Sequence, residues 1–189
     1  MTLKNGLVCV LVGGFALLGC NKKSDAAGGE TATETATAEP VLVEASAPGP
    51  SGYQWERVPQ GGLGSVELPK GEGWRKDGNE LSNEALNITV MIQQQAGVDA
   101  SARSEYLQSF IDVNKRDAPK YELAERKEGQ VKGHASGRVD GKFDNGTAYS
   151  TRDYVMFVKN AVLSVMVRGP VAREAEIRSL ADHVAASYQ

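Results

Sequence analysis

After residue 20 the chain contains no cysteine, although it runs to residue 189; both of its cysteines, Cys9 and Cys20, lie at the start. The remainder therefore has no thiol to form a disulfide, bind a metal or attack a substrate, which excludes zinc-finger, iron–sulfur, disulfide-scaffold and cysteine-enzyme readings. Histidine is equally scarce, with only His134 and His183. Positive charge is not in excess: 21 Lys+Arg against 24 Asp+Glu give a net charge of -3. Such a balance holds no polyanion, and nucleic acid is not an expected partner. Long hydrophobic runs are missing after the first twenty residues, so no later segment is expected to cross a bilayer as a helix. No Gly-x-Ser-x-Gly elbow, Walker loop, dinucleotide fingerprint or His-Glu-x-x-His occurs.

What is present at the N-terminus is an address. Lys4 supplies a positive start, and Gly6 to Leu18 is an uncharged, mostly apolar run. As a helix it reaches about 20 Å, short of the roughly 30 Å hydrocarbon core, so it reads as a signal-peptide core sooner than a membrane span. Polar residues Asn21, Lys22, Lys23, Ser24 and Asp25 follow directly.

Residues 21–52 are poor in large apolar side chains, holding only Val41, Leu42 and Val43, and have no aromatic residue. A Thr-Ala-Thr-Glu-Thr-Ala-Thr-Ala-Glu-Pro tract is followed by prolines 48 and 50. Such a segment buries too little surface to offset its ordering entropy and is expected to be a disordered tether, with an r.m.s. span of roughly 30 Å. From Tyr53 onward the composition changes: both Trp, all six Tyr and three of the four Phe fall in 53–189. The expected organisation is a signal peptide over 1–19, a tether over 20–52 and one domain over 53–189.

Within that domain, alternation predicts short strands at 53–58 and 64–69 and a third at 86–95, with Leu86, Ile88, Val90 and Ile92 on one face. The period then lengthens. Ala102, Tyr106, Leu107, Phe110, Ile111 and Asn114 mark a helix over about 99–117, capped by Asp99 or Ser101 and stopped by Pro119. An antiparallel meander is expected next, with 121–127 turning at Glu128-Gly129 into 130–140, then 147–158, then a two-residue turn at Lys159-Asn160 into 161–168. That last turn pairs Val158 with Ala161, Met156 with Leu163 and Tyr154 with Val165. The opposite face carries Val155, Phe157, Val162 and Met166, so the sheet needs cover on both sides. A C-terminal helix after Pro170, with the stripe Ile177, Leu180, Ala181, Val184 and Tyr188, supplies part of it. The fold class is α+β: a mainly antiparallel β-sheet with helices packed on its faces.

Two resemblances add to these readings. Leu17-Leu18-Gly19-Cys20 resembles the lipobox of bacterial lipoproteins. It implies that Cys20 becomes a diacylglyceryl-modified mature N-terminus, anchored in the lipid bilayer by two or three acyl chains. The other reading of these residues is an ordinary secretory signal with an incidental cysteine. Asn21, in place of the aspartate that retains some lipoproteins in the inner membrane, favours the outer membrane, facing the periplasm. The stretch Gly64-Ser65-Val66-Glu67-Leu68-Pro69-Lys70-Gly71-Glu72-Gly73-Trp74 and the final strand–helix unit resemble the superfamily of the photosystem II protein PsbP and the Ran-binding Mog protein, which includes lipoproteins such as DcrB. That resemblance implies an α/β/α sandwich and assigns no site residue.

Candidate chemistry is thin. His134 and Ser136 share the polar face Lys132, His134, Ser136, Arg138 and Asp140; this places a general base near a hydroxyl, although a solvated face explains the same pattern. His183 has Ser179 and Ser187 one turn away on its helix, and no carboxylate or second histidine at ligand spacing. Asp140, Asp144 and Asn145 surround glycines without the spacing of an EF-hand and read as a turn. Trp55 and Trp74 are expected to pack over a sheet edge or to face a partner. No metal, cofactor or catalytic residue is assigned. The expected role is a non-catalytic, lipid-anchored envelope protein that binds another envelope component, foremost a protein. A carrier of a small apolar ligand and a hydrolase built on Ser136 and His134 are the alternatives.

Overall fold

The computed structural model describes residues 38–189, so the predicted signal peptide, Cys20 and the tether up to residue 37 lie outside the described residues. Strands β1 (Gln54–Pro59) and β2 (Ser65–Lys70) form a two-stranded antiparallel sheet. The main sheet has seven strands: β3 (Trp74–Asp77), β4 (Glu80–Asn83), β5 (Ile88–Ala96), β6 (Glu122–Val131), β7 (His134–Asp144), β8 (Ala148–Val158) and β9 (Ala161–Pro170). Their spatial order is β3-β4-β5-β9-β8-β7-β6, antiparallel throughout. Helix α1 (Arg103–Asp117) carries the chain from β5 in the middle to β6 at the far edge, and α2 (Glu174–Ala186) follows β9.

The β8–β9 hairpin has the expected register, with Val158 opposite Ala161, Met156 opposite Leu163 and Tyr154 opposite Val165. Lys159 and Asn160 both adopt positive φ, as a two-residue turn between twisted strands requires. Each face of this hairpin is buried in a different layer. Tyr154, Met156, Leu163 and Val165 pack with Val90, Ile177, Leu180 and Val184 beneath α2. Val155, Phe157 and Val162 pack with Leu107, Ile111 and Val139 beneath α1. The predicted stripe of α2 is buried at every position, Ile177, Leu180, Ala181, Val184 and Tyr188. Asp99 resolves the choice of cap: its carboxylate accepts from the Ser101 amide at 2.8 Å and opens the 3₁₀ turn that leads into α1.

Three expectations change. The β6–β7 turn lies at Lys132-Gly133, both with positive φ, and Val131 faces His134 across it; Glu128 and Gly129 are inside β6. A strict apolar alternation through Val131, Gly133 and Ala135 hid the turn, because Gly133 satisfies the pattern as well as it satisfies a positive φ. The hairpin β3–β4 has no counterpart among the predicted strands; each strand is four residues long and Leu81 is its one buried apolar residue, too little for a period to register.

The third change concerns the tether. Residues 40–50 lie along the domain as a strap. Val41 forms a parallel bridge with Gln130, the Leu42 amide donates to the Gln130 carbonyl at 2.9 Å, and the Gln130 amide donates to the Pro40 carbonyl at 2.9 Å. Leu42 and Val43 are buried in the core below α2. Two consecutive apolar residues, Leu42 and Val43, suffice for a strap because they fill an existing groove, while Val41, 71% exposed, borrows the open strand edge through its main chain.

Candidate functional site

The strap leads to a hydrogen-bonded surface cluster on α2, β1 and β2. At its far end the Ala47 carbonyl lies 2.9 Å from His183 Nδ1, and the Pro48 carbonyl accepts from Ser179 Oγ at 3.2 Å, so consecutive strap carbonyls are held by α2. His183 Nε2 faces Glu67 Oε2 at 3.1 Å, and Arg57 Nη2 donates to the other oxygen, Oε1, at 2.8 Å. The expectation that no carboxylate joins His183 is thus corrected. Glu67 comes from β2, 116 residues away, where spacing along the helix gives no sign of it.

Aromatic rings cover this cluster. The Trp55 ring centroid is 4.0 Å from that of His183, Tyr53 stacks on Trp55 at 5.8 Å, and Trp74 tilts against Tyr53 at 5.7 Å. Both tryptophans are half-buried and serve packing. Tyr53 donates to Glu176 Oε1 at 2.7 Å; burial, and then this carboxylate, push its phenol above its ordinary pKa.

On the same side of the main sheet a cleft of about 400 Å³ separates the β1–β2 sheet from β3, β4 and β5. Its floor is Leu68, Leu81, Val90 and Ile92, and these side chains are nearly covered, from 1% exposed for Val90 to 8% for Leu81. What remains open is polar: the exposed amides of Asn79 and Gln94 at the rim, with Lys76 and Glu80 beside them, while Gln60 is itself buried. Gln94 Nε2 donates to Gln60 Oε1 at 3.3 Å, and Gln60 Nε2 donates to the Val58 carbonyl at 3.2 Å. An amide side chain carries both donors and an acceptor, so this rim matches groups that carry both, above all peptide groups.

The polar face predicted for β7 is a buried network under α2. Arg152 grips Asp140 through Nε and Nη2, both at 2.9 Å, and reaches Asp182 of α2 through Nη1 at 2.9 Å. Tyr154 donates to Asp182 at 2.6 Å. Arg138 lies between Asp140 and Glu125. Ser136 is fully buried, and its hydroxyl donates to the His134 main-chain carbonyl at 2.8 Å. The His134 ring is half-buried and sits edge-on to Tyr188 at 5.3 Å. The main-chain bond of Ser136 gives the hydrolase reading no support. Asp144 accepts from the Gly146 amide at 2.8 Å, the turn expected there. Among the described residues no group of three or more His, Cys, Asp and Glu could hold a metal ion, and no helix is long and apolar enough to cross a membrane.

On the α1 side, Asp153 is buried beneath the sheet face, and desolvation raises its pKa to about 8 against the opposing pull of Arg168. Its one side-chain hydrogen bond is a long one from Thr151 Oγ1 at 3.4 Å.

No protein-family model matches the chain, and no curated protein matches it. Solved structures do. Cyanobacterial PsbP from Synechocystis has 12% identity over 71% of this chain and 91% of its own, with a TM-score of 0.53. The Ran-binding protein Mog1p of Saccharomyces cerevisiae has 10% identity over 72% and 95%, with a TM-score of 0.51. LpqN of Mycobacterium tuberculosis, described as involved in cell envelope biogenesis, has 13% identity over 71% and 88%, at a TM-score of 0.48. Together with the seven-stranded antiparallel sheet and its two helices, the first two place the described residues in the fold of PsbP and Mog1.

Proposed function

We propose that this protein is a non-catalytic envelope lipoprotein, anchored through acylated Cys20, whose domain holds an extended segment of another envelope protein in the cleft between β2 and β4–β5. The observation that carries the reading is the chemistry of the cleft. Its apolar floor is already covered, and the amides open to a ligand are those of Asn79 and Gln94, with Gln60 already bonded to Gln94 and to the Val58 carbonyl. A polypeptide main chain satisfies such groups, and an apolar ligand leaves them unpaired at a cost of about 1–3 kcal/mol each. This weighs against the alternative of a small apolar cargo. The Ran-binding neighbour supports the reading at the level of fold, as a protein of this fold that binds another protein.

Three experiments separate the parts. Replacing Cys20 by alanine in the full chain is expected to abolish fatty-acid labelling and normal processing; a labelled, membrane-bound Cys20→Ala protein contradicts the anchor. Cross-linking in intact cells is expected to join the anchored protein to an envelope protein. Native mass spectrometry that instead reveals a stoichiometric co-purified lipid-sized mass selects the carrier.

A further inference from the structure

We infer that the strap 40–50 turns the mouth of the cleft toward the bilayer that holds the anchor. The occupant of the cleft is then an extended segment of a protein embedded in that same membrane, next to the lipid surface. This placement of the partner rests on the anchor and the cleft of the proposed function, and adds the side from which the partner comes.

The strand register fixes the two ends of the domain. Gly129, Ser136, Met156, Leu163 and Gln94 lie opposite one another in turn, one row across β6, β7, β8, β9 and β5. Gln94, on the cleft rim, closes the row at one side. At the other side the chain enters: the Gln130 amide donates to the Pro40 carbonyl at 2.9 Å. Arg103 grips Glu39, one residue earlier, through two hydrogen bonds of 2.9 Å, and donates to the Gly129 carbonyl at 3.2 Å. Four strand spacings, about 19 Å, separate this entry from Gln94. Asn79 belongs to the same end, since its carbonyl accepts from the Ile92 amide at 3.0 Å. The opposite end, at the Asn145-Gly146 turn, lies past Asp144, which is about 27 Å along β7 from Ser136.

Without the strap the chain would enter at that opposite end. Helix α2 starts there, with Glu174 ion-paired at 3.2 Å to Lys142, two residues before Asp144. It runs back to the cleft end, where Tyr188 meets the His134 ring and donates to the Leu63 carbonyl at 2.6 Å. Tyr53, where β1 begins, is bonded to Glu176 in the first turn of α2. From there the strap retraces the helix: the Pro48 carbonyl is held by Ser179, the Ala47 carbonyl by His183, and Leu42 by Gln130. Burial of Leu42 and Val43 secures the last stretch. The strap thus carries the point of attachment from one end of the domain to the other. Between Cys20 and Ala38 the chain reaches at most about 65 Å, and a coil of that length spans about 24 Å. A segment presented beside the anchor is therefore within range of the cleft.

The test uses the acylated full chain in vesicles of phosphatidylethanolamine and phosphatidylglycerol that carry a rhodamine-labelled headgroup. With Cys9 removed and Cys20 acylated no thiol is left free, so Asn79→Cys and Asn145→Cys each take one donor fluorophore. Energy transfer to the lipid surface is expected to be severalfold stronger from position 79 than from position 145. Leu42→Asp with Val43→Asp frees the strap and is expected to abolish or reverse that difference. Equal transfer from the two positions in the parent, or a difference that survives in the folded double variant, overturns the inference and leaves the cleft standing. A photoreactive side chain at Gln94, in cells, is expected to join an integral protein of the anchoring membrane in the segment that flanks its membrane-embedded part. An adduct with a soluble protein, or with a protein of the opposite membrane, overturns the inference. The absence of any adduct overturns the cleft beneath it, and a chain that fails to bind the vesicles overturns the anchor.

Discussion

Asp153 stores a pH dependence in a single side chain. Burial raises its pKa from an ordinary 3.8 to about 8, with Asp140 adding to the rise and Arg168 opposing it. In the unfolded chain the carboxyl ionises near pH 4, whereas in the folded protein it keeps its proton until about pH 8. Between those values the folded state binds more protons, so stability falls as the pH rises, with a slope of up to about 1.4 kcal/mol per pH unit from this group. Asp153→Asn is expected to remove that slope: a urea midpoint close to the parent's at pH 4.5 and clearly higher at pH 8. Equal midpoint differences at both pH values contradict the assignment. Alternation places Asp153 on the same face as Phe157, but its depth depends on what α1 and β9 bring over it. His183 is the opposite case. Its own helix shows two serines, and its real partners, Glu67 and Ala47, lie more than a hundred residues away. Contacts of that separation have no periodicity to betray them.

At the scale of elements, α2 is fixed by an apolar stripe and, among its polar contacts, by a rivet into the buried network of the sheet. The stripe is legible in the sequence because its period of 3.6 is a property of the helix alone. The rivet, Asp140–Arg152–Asp182, requires the β7–β8 register, which pairs Asp140 with Arg152, and the placement of α2 above it. The β8–β9 register could be read because Lys159-Asn160 is an unambiguous turn between two apolar runs. The β6–β7 register could not, because Gly129 and Gly133 compete for the turn. Arg152→Met is expected to leave the Asp140 carboxylate buried with only Arg138 near it, at 3.5 Å, and to cost about 3–5 kcal/mol in equilibrium unfolding. A loss below about 1 kcal/mol, with α2 still protected from hydrogen exchange, shows that the stripe alone docks the helix.

For the whole molecule, the fold class follows from the order of patterns: short strands, one inserted helix, a meander and a terminal helix. What the patterns leave open is how far the tether extends. Composition averages over 21–52 and calls all of it a spacer, whereas burial of Leu42 and Val43 and the open edge of β6 seat residues 40–50 on the domain. The cleft is likewise invisible in sequence, since its lining gathers Gln60, Asn79 and Gln94 from three separate segments. Its proposed role as a peptide-binding site is best tested by placing a photoreactive side chain at Gln94, on the rim, and at Gln108, exposed on α1, in the full chain. Irradiation of living cells is expected to give one discrete adduct with an envelope protein from position 94 and none from position 108. No adduct from 94, or the same adducts from both positions, contradicts a binding cleft.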